Sequence, residues 1–325
     1  MLNSLFPLAT TLLSPAGSRA RLTIVMYHRV LKQADPLAPY TPTAEIFDVH
    51  MAALANGFNV LPLSEAVERL AKQSLPPRAA CITFDDGYRD NLTVAGPVMQ
   101  RYNLPATIFV ATGFLDGGRM WNDSVIEAVR LAPGESIDAQ ALKLGTHSII
   151  SDIDRMQAIK KLLDQLKYLP FAERAARVDQ LCELIGTPLP TDLMLSSAEL
   201  ITARRSNIEI GAHTVNHPIL TQIDDDQARA EMAESKAHLE SVLKEKVLLF
   251  AYPNGRPDQD YATRHAQMVK QVGFKMAAST ASGAANAASD LFQLPRYAPW
   301  DKVKSRLQLR LLQNIWRPVP NPAYS

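Results

Sequence analysis

Short apolar runs alternate with amphipathic helical patterns along most of this chain, and this alternation restricts the fold more than any other feature. Alternating strands and helices predict a parallel sheet covered by helices. About eight such runs predict an α/β fold, a distorted (β/α) barrel of about seven to eight parallel strands. The runs lie at residues 22–27, 59–63, 79–84, 106–112, 208–212, 247–252, 274–279 and 292–297.

The predicted domain is a barrel at residues 21–300 that carries a helical insertion at about 118–195, where no convincing strand pattern is found. Helices are predicted at 43–56, from Asp224 to about 244, and at 258–272. Gly57 is expected to end the first of these in a left-handed cap, and the third is expected to stop at Gly273. Residues 301–325 are predicted to form an amphipathic helix and a frayed Pro-rich tail, RPVPNPAYS.

Composition indicates an ordinary globular protein, and its charge gives no argument for nucleic acid or an anionic membrane. Of 325 residues, 47% are apolar, and 34 Lys and Arg nearly balance 33 Asp and Glu. Two cysteines do not suggest a disulfide framework.

Residues 1–20 form an N-terminal segment whose apolar stretch is too short to span a bilayer. An export signal normally has a Lys or Arg before its apolar part, and none precedes the apolar stretch here. We therefore expect it to pack on the domain or to rest on a membrane surface through residues 1–16. The expected location is cytoplasmic or peripheral at the inner membrane, and the alternative is periplasmic.

The sequence T-F-D-D-G at 83–87 is the strongest chemical signal. It directly follows an apolar run, so both carboxylates lie at the carboxyl end of a predicted parallel strand, where such folds place their active sites. Neighbouring residues of an extended segment point in different directions, so one Asp can bind a metal while the other faces a substrate. Taken alone, the motif is equally compatible with an acidic turn or a helix cap.

A second motif, H-T-V-N-H-P at 213–218, follows another predicted strand. Two imidazoles four residues apart can reach one metal ion, although histidines are more often solvated or packed in a core. One Asp and two His would leave room for water, which is the open pattern of a catalytic metal site. Such ligands predict a divalent ion, zinc first, with cobalt, nickel, manganese or iron as alternatives.

The two motifs resemble those of the polysaccharide deacetylases with NodB homology, carbohydrate esterase family 4. That resemblance extends from about residue 22 to 300, apart from the insertion. It implies that Asp85 is the catalytic base and that Asp86, His213 and His217 bind the metal. It also implies that Thr214 holds the loop by hydrogen bonding.

A third stretch, F-A-Y-P-N-G at 250–255, resembles the family's R-x-P-x-G motif. The resemblance places an oxyanion-binding backbone N–H on Asn254. Here the chain departs from the pattern, because Ala251 stands where an Arg normally orients the catalytic Asp. We hypothesise that Arg296 supplies the missing charge to Asp85; the alternative is a surface Arg.

The family's leaving-group His, normally near the C-terminus, is also missing there. The N-terminal V-M-Y-H-R-V at 25–30 instead resembles the first strand of the poly-N-acetylglucosamine deacetylases, a permuted branch in which this His comes first. First and last barrel strands are neighbours, so the resemblance makes His28 the general acid. The alternative is a core histidine.

Aromatic side chains stack on sugar faces, so several are candidates for substrate contact. Trp121 follows a Gly-rich loop, although W-N-D at 121–123 is more readily interpreted as a helix start with Asn122 or Asp123 as the cap. The candidates are Tyr88, Trp121, Tyr252 and Trp300.

These features predict metal-dependent removal of acetyl groups from an N-acetylated glycan, either an N-acetylhexosamine-rich exopolysaccharide or a lipid-linked or nucleotide-linked intermediate of its assembly. Hydrolysis of another carbon–nitrogen bond is the first alternative. A catalytically silent carbohydrate-binding relative is the second.

Overall fold

The computed structural model describes residues 2–317 and residue 323, with side chains from residue 5 onwards. Its strands, numbered along the chain, are β1 (Thr23–Tyr27), β2 (Asn59–Val60), β3 (Ala79–Phe84), β4 (Ala106–Val110), β5 (Ser136–Ala139), β6 (Gly145–Ser148), β7 (Ile208–Ala212), β8 (Leu249–Ala251) and β9 (Met276–Ala278).

The main helices surround the sheet or belong to the insertion. They are α1 (Leu2–Leu13), α2 (Ala44–Gly57), α3 (Leu63–Ala71), α4 (Gly96–Arg101), α5 (Trp121–Leu131), α6 (Asp152–Leu166), α7 (Phe171–Ile185), α8 (Ser197–Arg205), α9 (Asp225–Leu243), α10 (Thr263–Val272) and α11 (Lys304–Trp316). None of these described helices is long and apolar enough to cross a membrane.

A parallel sheet forms the centre of the fold. Its strands are hydrogen-bonded in the order β1-β3-β4-β7-β8-β9, and β2 pairs with the start of β3, which makes seven strands within the described residues. The sheet curls into a half-barrel, which confirms the predicted distorted α/β barrel. All these strands run the same way, so their carboxyl ends lie at one edge, where the two chemical motifs also lie.

Alternate residues of the strands face two different clusters of buried side chains. Ile82 and Phe84 of β3 belong to a cluster shared with α2 and α9, whereas Cys81 packs with β8, β9 and α3. This period of two is the ordinary consequence of an extended backbone. It places Asp85 on the same face as Cys81 and Thr83, towards the barrel interior.

The prediction that the last apolar run forms a strand is wrong. Residues 292–297 make only isolated bridges, Leu294 with Ala278 of β9 and Tyr297 with Val25 of β1. The N–H of Met26 nevertheless donates to the Tyr297 carbonyl at 2.9 Å. This segment therefore spans the gap between β9 and β1 and brings Arg296 to the site. Pro295 lacks an N–H and cannot extend a ladder.

The insertion lies between β4 and β7, which pair directly in the sheet. It contains α5, α6 and α7 with a buried core of their own, as expected, but also an antiparallel hairpin of β5 and β6. The prediction that this stretch contains no strand was wrong. Each of these strands is only four residues long and partly exposed. So short an alternation of polar and apolar residues gives little sequence signal.

Helix ends agree with the sequence in part. Gly273 (φ +98°) ends α10 in the left-handed region, but α10 begins at Thr263 rather than 258. Gly57 does not form the expected left-handed cap: it is the last helical residue of α2, and a Cβ there would lie 2.1 Å from the Phe6 ring. The Pro-rich tail falls at 318–322 and 324–325, outside the described residues.

Candidate active site

A cleft opens at the carboxyl ends of β1, β3, β7 and β8, partly covered by α5, α6 and α7 of the insertion. It encloses about 260 Å³. Its lining contains both acidic and basic side chains, and it collects residues from distant parts of the sequence. The lining residues are His28, Asp85, Asp86, Met120, Trp121, Asn122, Leu163, Asp164, Lys167, Arg174, His213, His217, Ile219, Asn254 and Thr280.

Asp86, His213 and His217 converge at the base of the cleft. Their ligand atoms all lie within 4.8 Å of one another. Oδ1 of Asp86 is 3.5 Å from Nε2 of His213 and 3.4 Å from Nε2 of His217. Three donor atoms surrounding one point in this way form a candidate centre for a divalent cation.

The protonation of His213 suits this role. Its Nδ1 lies 2.7 Å from the carbonyl oxygen of Ala251, which can only accept, so Nδ1 carries the proton and Nε2 keeps a free lone pair towards Asp86. Within the described residues the buried Oδ1 of Asp86 has no hydrogen-bond partner. An orphaned carboxylate oxygen beside two imidazole nitrogens fits a site in which all three atoms could hold one ion.

Electrostatics separates the two imidazoles. Burial disfavours the charged form of both, yet the neighbouring carboxylates of Asp86 and Asp85 raise the pKa of His213 above its usual value. For His217, burial outweighs the attraction of Asp86 and lowers its pKa to about 4. Asp86 itself has a lowered pKa, because the imidazoles overcome the opposing effect of burial. A neutral His217 and an ionised Asp86 are the forms that bind metal.

The loop that carries both histidines is held by hydrogen bonds. The N–H of His217 donates to Oγ1 of Thr214 at 3.1 Å. Glu231 of α9 accepts the backbone N–H groups of Val215 and Asn216, each at 2.8 Å, and the Asn216 side-chain amide at 2.7 Å. Sequence analysis did not single out Glu231. The helix α9 contains many charged residues, and nothing in the sequence distinguishes this Glu from those exposed to solvent.

Asp85 and Arg296 form a forked ion pair beside the candidate metal centre. Nη1 of Arg296 donates to Oδ1 of Asp85 and Nη2 donates to Oδ2, both at 2.7 Å. Its Nε donates to the Ser279 carbonyl at 2.8 Å. Arg296 is 1% exposed and Asp85 2%, which excludes the alternative that this Arg lies on the surface.

This pair sets the charge of Asp85. Burial alone would raise the pKa of the carboxyl, but the charges of Arg296 and His213 hold it below its usual value. Asp85 is therefore ionised at neutral pH with a fixed orientation.

His28 and Asn254 lie on the remaining sides of the cleft. His28 follows β1 directly and its side chain is exposed, so it is not the core histidine of the alternative interpretation. Asn254 follows β8, and the structure shows no backbone partner for its N–H among the described residues.

Several site residues adopt backbone conformations that are uncommon without glycine. Asp86 has φ +76°, Thr214 +65°, His217 +52° and Asn254 +58°. Residues held in this left-handed region cost free energy and cluster at functional sites. The turn after β3 thus begins at Asp86 itself and continues through Gly87, which has φ +89°.

The structure brings only one of the four aromatic candidates to the cleft. Trp121 lines it and is the first residue of α5, whose cap is Met120 and not Asn122 or Asp123. The other three lie elsewhere: Tyr88 and Tyr252 are buried with hydroxyls bonded to Asp123 and to the Phe292 carbonyl, and Trp300 is 61% exposed outside the cleft.

Two cations in the cleft, Lys167 and Arg174, were not singled out from the sequence. Both belong to the insertion, where no motif marks them, and only the packing of α6 and α7 over the site shows their position.

Comparison with known proteins finds similarity in sequence and in fold. YxkH of Bacillus subtilis (strain 168), a protein assigned to the polysaccharide deacetylases, is 23% identical over 279 residues, which cover 85% of this chain and 71% of YxkH. The Streptococcus pyogenes deacetylase PplD has a similar fold, with a TM-score of 0.61 and 21% identity over 92% of this chain and 99% of that one. IcaB from Ammonifex degensii gives a TM-score of 0.57 and 18% identity over 91% and 98%.

The family assignment rests on the sequence match. Residues 72–277 match the polysaccharide deacetylase family, a range that contains Asp85, Asp86, His213, His217 and Asn254. The chain therefore belongs to the polysaccharide deacetylase family.

Proposed function

We propose that this chain removes acetyl groups from N-acetylhexosamine units of a polysaccharide, or of an intermediate in its assembly, and that it requires a divalent metal. One observation carries the proposal: the Asp86, His213 and His217 cluster lies in one cleft with an ionised Asp85 that Arg296 holds in a forked pair. Family membership supports the deacetylation, and the cluster supports the metal.

Asp86, His213 and His217 would hold the ion. A bound divalent cation supplies Lewis-acid chemistry, polarising a carbonyl and lowering the pKa of water towards about 7. The lowered pKa of Asp85 keeps this residue in the carboxylate form, which is the form that can accept a proton.

Asp85 would act as the general base. Each of its oxygens accepts one hydrogen bond from Arg296, which leaves further lone pairs to accept a proton from the attacking water. Arg296 keeps the carboxylate charged and prevents it from rotating. We infer that Arg296 performs the orienting role of the Arg that Ala251 replaces.

His28 and Asn254 would act on the two atoms of the amide that change charge. The backbone N–H of Asn254 would donate to the oxyanion as the carbonyl becomes tetrahedral. Protonated His28 would give its proton to the departing sugar nitrogen, so that acetate and a free amine are released. Both residues line the cleft that contains Asp85.

The test is acetate release from N-acetylglucosamine oligomers by chelator-treated protein, with zinc or cobalt added back. We expect release only with metal, and almost none from Asp85→Asn or His28→Ala. His238→Ala is the matched control, because His238 is exposed on α9 away from the cleft. If metal binds but no acetate appears from any oligomer, another amide substrate or a silent relative replaces this proposal; if no metal binds, its central claim fails.

We also propose that the protein works at a membrane surface, in contact through α1. Phe6 and Thr10 of α1 are buried against the domain, whereas Leu5, Leu8 and Leu12 are 57%, 62% and 83% exposed. The sequence offered two interpretations of this segment, packing on the domain and contact with a membrane surface. A helix that packs on the domain and also presents leucines to solvent is compatible with both.

A further inference from the structure

Arg174 is a buried cation without a counterion. It is 5% exposed, and its one side-chain hydrogen bond within the described residues is from Nη1 to the Lys167 carbonyl at 3.2 Å. None of the ion pairs in the described part of the chain includes it. By contrast, Arg177, one turn further along α7, pairs with Glu173.

Aromatic rings hold the guanidinium in place. Its carbon lies 4.9 Å from the centre of the Trp121 ring and 5.6 Å from that of Phe171. These contacts orient Arg174 but do not neutralise it. Burial lowers its pKa, and no carboxylate acts in the other direction.

Lys167 adds a second cation on the same side of the cleft. It is half-buried, lines the cleft with Arg174, and forms no ion pair within the described residues. Asp164, the acidic residue that α6 contributes to the lining, is already paired with Lys160.

A buried charge without a partner costs free energy, so a folded protein normally pairs it or exposes it. Arg174 is instead buried in the lining of the cleft. The acidic residues on the opposite side are engaged, since Asp85 is paired with Arg296 and Asp86 faces the two histidines. The side formed by the insertion is therefore positive.

We propose that Arg174 and Lys167 form a subsite for an anionic group, a phosphate or a carboxylate, on the sugar that is deacetylated or on its direct neighbour. The inference rests on the proposed function and names its substrate class: an acidic N-acetylated glycan. A guanidinium fork matches the geometry of either anion. The cleft volume of about 260 Å³ is small for a ligand site, so the acetyl group and the anionic group belong to the same sugar or to adjacent sugars.

Two sources supply such an anion. A phosphate occurs in a nucleotide-linked or lipid-linked sugar, and a carboxylate occurs in a uronic acid next to the N-acetylated unit. The probes are N-acetylglucosamine 1-phosphate and a disaccharide of glucuronic acid and N-acetylglucosamine. Methyl N-acetylglucosaminide and the N-acetylglucosamine dimer are the neutral references.

Binding is measured by calorimetry with the full chain after chelator treatment, so that no sugar is consumed. We expect one of the anionic probes to bind at least about tenfold more tightly than its neutral reference. Arg174→Gln and Lys167→Gln should each reduce this preference while neutral binding stays within about twofold. Lys161→Gln, an exposed position of α6, is the matched control with the same loss of charge.

Arg174→Lys separates charge from shape, because it should keep part of the preference. Melting curves check that each variant is folded, and Lys167→Gln carries the test if Arg174→Gln does not fold. Equal binding of both anionic probes and their references, or equal weakening of both by Lys167→Gln, overturns the subsite. Acetate release from neutral oligomers with no anion preference would overturn this inference and leave the proposed function standing. Anion-selective binding without any acetate release would overturn the proposed function and leave this inference standing.

Discussion

At the scale of single residues, the Asp85–Arg296 pair combines catalysis with stability. Both side chains are almost fully buried, so removing one leaves the other as an uncompensated charge. We expect Arg296→Met to lower the free energy of unfolding by about 3–5 kcal/mol and to abolish acetate release. Combined with Asp85→Asn, the loss of stability should be smaller than the sum of the two single losses. Urea unfolding of the three variants measures this.

An exposed pair provides the control for this cycle. Arg69 and Glu65 of α3 form an ion pair through one hydrogen bond at 2.7 Å, with side chains 45% and 41% exposed. Arg69→Met should cost at most about 1 kcal/mol, because solvent screens the pair. Similar stability losses for Arg69→Met and Arg296→Met would contradict the argument.

The candidate metal-binding and catalytic residues could be predicted from the sequence where they belong to motifs. The residues that hold them in place could not. Asp85, Asp86, His213 and His217 lie within two short stretches that follow apolar runs. Arg296 is 211 residues from its partner, so its contact depends on how the barrel closes. The sequence therefore supported a hypothesis for Arg296 but gave no means of choosing it over a surface position.

Asp123 is a further buried carboxyl near the site, besides Asp85 and Asp86. It accepts a hydrogen bond from the Tyr88 hydroxyl at 2.9 Å, and burial raises its pKa to about 7. Arg29 and the Tyr88 hydrogen bond lower this pKa, whereas the charges of Asp86 and Glu127 raise it further. The folded state therefore favours the protonated acid.

This shift has a definite sign. The pKa of an unfolded Asp is about 3.9, so the stability that the protonated form provides is complete below about pH 4 and is lost as pH rises through about 7. Asp123→Asn removes the titration and still accepts the Tyr88 hydrogen bond. We expect the variant to gain stability relative to the wild type between pH 5 and pH 8, by on the order of a few kcal/mol. Thermal melting across this range checks it, and a constant difference would count against the shift.

At the scale of elements, α9 supports the histidine loop through one side chain. Glu231 accepts three hydrogen bonds from residues between the two histidines. A glutamine offers one acceptor oxygen and places an amide against the Asn216 amide. We expect Glu231→Gln to weaken metal affinity by about 10–100-fold without unfolding the protein. Competition with a chromophoric chelator measures this affinity.

Glu234→Gln is the control for that experiment, because Glu234 lies on the same helix and is exposed. It removes the same charge and should leave metal affinity unchanged. If both variants lose affinity alike, the effect comes from general electrostatics and not from the loop.

Elements were predictable where a local pattern determines them. The start of α9 at an Asp cap and the end of α10 at Gly273 both follow from short-range chemistry. The role of Gly57 did not, because the residue that requires a glycine there is Phe6, 51 positions earlier and on another helix. The hairpin of β5 and β6 was missed for a similar reason: its strands are stabilised by packing within the insertion.

At the scale of the whole molecule, alternation of strands and helices predicted the barrel, but not how it closes. Closure depends on residues 294–297, which bridge β9 and β1 through a few hydrogen bonds. Because β1 is adjacent to this segment, His28 and Arg296 come from distant parts of the sequence to the surroundings of Asp85. The permuted arrangement of the family resemblance stays a prediction.

The exposed face of α1 is the whole-molecule feature with the clearest consequence. The first and last turns of α1 contain no acidic or basic residue, and the net charge of the chain is +1. Any membrane contact through α1 must therefore come from apolar burial, where each fully buried Leu contributes about 1.5–3 kcal/mol, and not from attraction to anionic lipids.

We expect the protein to sediment with lipid vesicles equally well for zwitterionic and anionic lipids and at low and high salt. Leu8→Ser with Leu12→Ser should abolish this binding and leave acetate release from soluble oligomers unchanged. Ile150→Ser with Ile153→Ser, which removes two residues 70% and 62% exposed in the insertion, is the matched control and should bind as the wild type does. Unchanged binding of the α1 variant would assign the contact to another surface, and binding that salt abolishes would show that charge, not apolar burial, holds the protein there.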